Sequence, residues 1–197
     1  MNHPAATLRS VCGVADLDAY GDSGVTHVLS ILDPGWADPT AFERYPAHHR
    51  VNLRFHDAVE SGHAVLLPER RNVEDILAFG QRLGTDLVDG NGGHLLIHCQ
   101  MGISRSTAAM VTLLAQAFPR EDDELLFDRL LAIRPQAWPN LLMVGFADEL
   151  LDRGGRMVAA LGRVYAGQLA RRPDLADERR RQSRGREVEL GLESRRR

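Results

Sequence analysis

Residues 94–110 read HLLIHCQMGISRSTAAM. The run from His94 to Cys99 is compact and aliphatic, as a strand inside a layered domain should be. From Ser104 onward, SRSTAAMVTLLAQAF is apolar on nearly every side, the pattern of a helix buried all round. Only Gln100 to Ser104 separate the two. A strand that feeds a buried helix through so short a loop predicts an α/β fold.

The flanking sequence extends that reading. TLRSVCGVAD (7–16) and GVTHVLSILDPG (24–35) predict two strands joined by a helical DLDAYGDS link, the second closed by a Pro-Gly stop. HRVNLRFHD (49–57) predicts a third strand ending at His56 and Asp57. Residues 58–72 have no steady period and predict an irregular excursion. Val73, Ile76, Leu77, Gly80, Leu83 and Leu87 then show the three-and-four spacing of a one-faced helix, stopped by GNGG at 90–93. EDDELLFDRLLAIRP has acids in its first turn and a Pro stop, and PNLLMVGFADELLDRGG and RMVAALGRVYAGQLA add two further helices. With no internal repeat, the expected architecture is a three-layer α/β fold. Its mainly parallel sheet of four to five strands should carry helices on both faces.

Composition narrows the chemistry. The 197 residues suit one domain, expected over 5–170. Residues 171–197 carry ten Arg against six Asp or Glu with few apolar side chains, and are expected to be a solvated, disordered Arg-rich tail. That tail lacks interleaved aromatics, so nucleic acid is not expected as a partner. The chain contains no Lys, which excludes Walker-type phosphate loops and lysine Schiff bases. Cys12 and Cys99 are its two cysteines, too few for a disulfide framework and without zinc-type spacing. There is no basic-then-apolar leader pattern and no apolar span of the ~18–20 residues a membrane helix needs, so a cytoplasmic location away from membranes is expected.

Cys99 would end its strand where the next helix begins, beside unpaired N–H groups and a partial positive charge. A thiol placed there is favoured as the nucleophilic thiolate. Gly102 lets the backbone curl, so that Gln100, Met101, Gly102, Ile103 and Ser104 can line a cup for an anion. Arg105 returns to the same cup with a planar fork suited to two phosphoryl oxygens. Ser106 follows with a hydroxyl able to donate to the sulfur. A metal set of His94, His98 and Cys99 fails, because His98 and Cys99 point to opposite faces of a strand.

These residues match a Cys-x5-Arg signature. HCQMGISRS resembles the active-site loop of cysteine-dependent phosphatases, most closely the HCxxGxSRS pattern of the dual-specificity branch, although Met101 stands where Ala is commoner there. A chance match is on the order of 10⁻⁵ to 10⁻⁴ for a chain of average composition, so coincidence is set aside. GISRSTAA, RPQAWPN and RGGRM also resemble a bacterial group of predicted tyrosine phosphatases, and the resemblance spans roughly residues 7–160.

The resemblance implies a protein-tyrosine-phosphatase-like fold, no cofactor or metal, and a phosphorylated protein or peptide as substrate. It also implies an acid from a loop upstream of the cysteine: Asp57, with Asp33 as runner-up and Asp75 read as a helix-terminal charge. Asn140 is either part of a Pro-Asn pair near the loop or a helix cap. His98 is either a brace for the loop or a structural residue. Cys12 is expected to fill the core, a regulatory disulfide with Cys99 being the other reading. No separate aromatic-recognition loop is present, so phosphotyrosine is expected to be preferred through its better leaving group. An RNA 5′-triphosphatase, an inositol-phosphate phosphatase and a non-catalytic phosphate-binding protein remain alternatives. Oligomeric state is not legible.

Overall fold

The computed structural model describes residues 8–88 and 93–196. Strands β1 (Leu8–Gly13), β2 (Val25–Leu32), β3 (His49–Arg54) and β4 (His94–Cys99) form one parallel sheet in the order β1-β4-β2-β3. The α-helices are α1 (Arg70–Val88), α2 (Arg105–Ala117), α3 (Asp123–Ile133), α4 (Leu141–Leu150), α5 (Arg156–Arg171), α6 (Leu175–Arg181) and α7 (Gly185–Ser194). Among the described residues no helix is long and apolar enough to cross a membrane.

Strand alternation divides the core. Val11, Leu29, Ile31, Leu53, Leu95, Ile97 and Cys99 face the α-helices, while Cys12, Val28 and Leu96 face the other way. The second face is covered by two short 3-10 segments, Val14–Tyr20 and Thr40–Arg44, which supply Leu17 and Phe42 to a smaller core. The α/β, parallel expectation holds with four strands, and the layer on the second face is built of 3-10 turns rather than longer helices. β4 lies between β1 and β2 and is buried at every position, as its unbroken apolar run requires. Residues 105–115 of α2 are likewise all buried.

Several boundaries shift. β1 gives way at Val14 to a 3-10 segment, and β3 ends at Arg54, so Asp57 lies three residues beyond the strand rather than at its end. Past Arg54 the Phe55 N–H still donates to the Leu32 carbonyl, and its ring, of the same parity as Leu53, is buried in the helix-side core. The 58–69 excursion is irregular as expected, and His56 closes it by exchanging hydrogen bonds with Leu66. Of the GNGG break, residues 90–92 lie outside the described residues, as does the side chain of Leu87.

The disordered tail is a correction. Residues 175–181 and 185–194 are helical, and α7 packs against α5. Gly191 permits the approach, since a Cβ there would lie 2.8 Å from that of Tyr165. The charge count misled because Arg184 and Glu187, 3% and 0% exposed, are interior residues that pair with each other. Leu175 and Val188 are also buried.

Candidate active site

The phosphate-loop candidate, Gln100 to Ser104, bridges the end of β4 and the start of α2. Two glycines let it fold back on β1. Gly102 adopts φ +67°, and a Cβ there would come within 2.3 Å of the Cys12 carbonyl carbon. Gly13, paired with Cys99 in the sheet, leaves room for the Gln100 carbonyl, which a Cβ would approach to 2.9 Å. The Val14 N–H donates to that same carbonyl. Arg134 donates to the carbonyls of Gly102 and Met101, and the Trp138 N–H donates to that of Ile103, 2.9 Å away. The loop carbonyls are thus drawn outward to partners.

Cys99 is buried, and the Gly102 N–H donates to its sulfur at 3.3 Å. The Ser106 hydroxyl lies 3.2 Å from the sulfur, from the first turn of α2. The sulfur thus lies where the N-terminal turn of α2 begins, between a backbone N–H and a hydroxyl.

Arg105 is 1% exposed. Its guanidinium donates to the Asp33 carboxylate at 2.6 Å, to the Phe55 carbonyl at 2.5 Å and to the Gln100 side chain at 3.2 Å. Its Nε is buried with no partner among the described residues. Asp33, about a quarter exposed, follows the end of β2 and so orients this guanidinium from a neighbouring strand.

Asp57 stands on the other side of the loop. Its Oδ1 accepts from the Ser104 hydroxyl at 2.7 Å and the Asn140 amide at 3.0 Å, and its Oδ2 pairs with Arg184 at 3.0 Å. Burial pushes the Asp57 carboxyl up. The Arg184 and Arg105 guanidiniums and the hydrogen bonds from Ser104 and Asn140 outweigh burial and hold it below the usual carboxylate range.

Asn140 combines the two readings offered for it. Its Oδ1 accepts from the Leu142 and Met143 N–H groups and caps α4, while its Nδ2 donates to Asp57 and to the Ala58 carbonyl. The start of α4 is therefore tied directly to the Asp57 loop.

The expected residues that come together are Cys99, Gly102, Ser104, Arg105, Ser106, Asp57, Asn140, Asp33 and Gln100. The Met101 side chain points to solvent at 68% exposure, and Ile103 packs against the core. His98 turns to the opposite face, where Nε2 lies 2.6 Å from the Ser30 hydroxyl and the ring meets Phe42. It braces the sheet beneath the loop, and burial together with the nearby Arg50 guanidinium pushes its pKa down to about 4. Cys12 lies in the smaller core, where burial pushes its thiol up to about 12. Asp75 is an exposed position on α1. Among the described residues no group of three His, Cys, Asp or Glu side chains is arranged to hold a metal ion.

Sequence reasoning missed Glu187, Arg184 and the bracing role of Trp138. Glu187, fully buried, accepts from Trp138 Nε1, the Leu141 N–H, Tyr165 and Arg184. No local pattern announces this hub, because its donors come from α5, from Trp138 before α4 and Leu141 at its first position, and from the turn before α7.

The four-stranded parallel sheet with its cysteine loop feeding a buried helix is the fold of the protein tyrosine and dual-specificity phosphatases. Solved structures similar to the chain include human DUSP28 (16% identity, 77% of this chain and 94% of that one, TM-score 0.54). Others are the human tyrosine phosphatase-like serine/threonine/tyrosine-interacting protein (20%, 73% and 87%, 0.53) and the Yvh1 phosphatase domain from Chaetomium thermophilum (22%, 76% and 93%, 0.51). No family model and no curated protein sequence matches the chain.

Proposed function

We propose that the protein hydrolyses phosphomonoesters, with protein phosphotyrosine as the preferred class, through a phosphorylated Cys99. The observation that carries this reading is the loop geometry: the Cys99 sulfur accepts from the Gly102 N–H and lies 3.2 Å from the Ser106 hydroxyl, and the same loop leads into Arg105, whose guanidinium is anchored by Asp33. Cys99 Sγ attacks phosphorus, forming an S–P bond as the P–O ester bond breaks. The leaving oxygen takes a proton from Asp57. Water then attacks phosphorus, giving its proton to the Asp57 carboxylate, while the S–P bond breaks and Ser106 donates to the departing sulfur. Arg105 and the loop N–H groups stabilise the charge that spreads over the equatorial oxygens in both steps.

Asp57 is the proposed acid because it is hydrogen-bonded to the phosphate loop through Ser104 and to α4 through Asn140. Asp33 is already engaged in orienting Arg105. The acid must be protonated to act, and in the free protein its neighbours hold it as carboxylate below the usual range. The rate at low substrate reports the free protein, so kcat/KM should fall as pH rises through and beyond that lowered value. A bound phosphoryl dianion disfavours a second negative charge beside it, so the alkaline limb of kcat should lie at higher pH than that of kcat/KM.

Initial rates on matched phosphopeptides and on nitrophenyl phosphate, measured against pH, test this reading. Phosphotyrosine should exceed phosphoserine and phosphothreonine, because an aryl oxide leaves more easily than an alkoxide. Asp57→Asn should flatten the alkaline limb and slow phosphotyrosine turnover by about 10² or more, with a much smaller loss on nitrophenyl phosphate. Loss of the limb in Asp33→Asn instead would reassign the acid. Rapid RNA 5′-triphosphate hydrolysis without peptide turnover would replace the substrate class.

A further inference from the structure

The segment from α6 to α7 does more than cover α5. The phosphate-loop residue Ser104 and the acid-loop residue Asp57 hydrogen-bond to each other, and both bond to one side chain from this segment. Arg184, immediately before α7, pairs with Asp57 at 3.0 Å and donates to the Ser104 hydroxyl at 2.7 Å. Its own position is fixed by Glu187, which it meets at 2.7 and 2.8 Å. Glu187 is fixed in turn by Trp138 and the Leu141 N–H, which flank Asn140. The Arg186 N–H reaches Glu60 in the excursion that follows Asp57, at 3.5 Å. A guanidinium this buried, shared between a carboxylate and a hydroxyl of two separate loops, has the planar fork the arrangement needs.

Resting on the phosphatase reading, we propose that Arg184 is a positioning residue of the active site: it locks the Asp57 loop to the phosphate loop, so the C-terminal segment is part of the catalytic unit. Around Asp57 the facing groups are Arg184 with Glu187 behind it, Arg179 from α6, Tyr165 from α5, Asn140 at the start of α4, and Ser104 and Arg105 at the start of α2. Arg184 is the cation that bonds directly to the carboxylate. Its removal leaves Asp57 with a weaker preference for the ionised form. The proton is then retained to higher pH even as the orientation loosens.

The test uses the full chain with Arg184→Lys, Arg184→Gln and the double variant Arg184→Gln/Glu187→Gln, which removes both buried charges and preserves the fold if the single variant does not. Asp57 titration is followed by carboxyl NMR. The pH dependence of kcat and KM is measured on phosphotyrosine peptide and nitrophenyl phosphate, and vanadate binding is measured in parallel. In the Gln variants the Asp57 titration and the alkaline limb should both move to higher pH. The kcat on phosphotyrosine should fall roughly tenfold or more, with KM and vanadate binding little changed. Arg184→Lys, which keeps the charge without the fork, should restore the limb but only part of the rate. An unmoved limb and rate in the folded double variant, beside an active parent, would overturn the role of Arg184 and leave the phosphatase reading intact. A parent inert on every phosphomonoester would overturn the phosphatase reading and with it this role, whereas an unmoved Asp57 titration would overturn the coupling alone.

Discussion

Cys99→Ser should abolish aryl phosphate hydrolysis, by about 10⁴-fold or more, while vanadate or phosphate binding stays measurable. The proposed covalent step needs sulfur as the attacking atom, and a serine hydroxyl is a far weaker nucleophile. The cup does not depend on sulfur for its shape. Gly102 is held by its φ of +67° and by the close approach to Cys12, and the loop carbonyls are held by Val14, Arg134 and Trp138. Arg105 likewise keeps its anchors on Asp33 and Phe55. Turnover and equilibrium binding measured on the same folded sample separate the two effects, and full activity in the variant would end the covalent mechanism.

The second large effect is expected from Arg105→Lys. The guanidinium bonds at once to Asp33, to the Phe55 carbonyl and to Gln100, with Nε buried and unpartnered among the described residues. An ammonium is a point donor on a shorter side chain and cannot hold those anchors and an oxyanion together. The loss in kcat/KM should be about 2 to 4 kcal/mol, roughly 30- to 1000-fold. Unlike the Asp57 variant, it should be nearly as large on nitrophenyl phosphate as on phosphotyrosine, because charge on the transferring group must be stabilised whatever leaves. A near-parental rate constant would remove Arg105 from the site.

What could be read without coordinates was local. Cys99, Gly102, Arg105 and Ser106 fall within eight consecutive residues, so strand, loop and helix register fix their meeting. Strand parity alone assigned His98 and Cys99 to opposite faces, and the structure places His98 against Ser30. Contacts made across the fold were not legible from the residues themselves, and Asp57 and Asn140 were named only through the resemblance. Asp33 reaches Arg105 over a separation of 72 residues, an outcome of the β1-β4-β2-β3 order that no run of sequence encodes. Asn140 was read either as a cap or as a site neighbour, because sequence shows one side chain and not that its two amide atoms serve both.

The C-terminal segment failed for a different reason. Apolar counting treats every charge as solvated, whereas Arg184 and Glu187 satisfy each other and polar groups of Trp138, Leu141, Tyr165 and Ser104 in the interior. A buried ion pair looks, residue by residue, like a surface one. Its i,i+3 spacing was visible, but Arg180 and Asp177 share that spacing in the same segment and are solvent-facing.

The central claim is that a phosphoryl group passes through the Cys99 sulfur. In the proposed mechanism the Ser106 hydroxyl, 3.2 Å from the sulfur, donates to it as it departs, so Ser106→Ala should slow the second step more than the first and let the intermediate accumulate. Acid quenching of this variant during turnover of a phosphotyrosine substrate, followed by peptide mass spectrometry, reads the site directly. One phosphoryl group on the peptide containing Cys99, absent in a parallel Cys99→Ser/Ser106→Ala sample, is the expected result. Turnover at the parental rate with Cys99 unmodified, or a phosphoryl group on another residue, would contradict it.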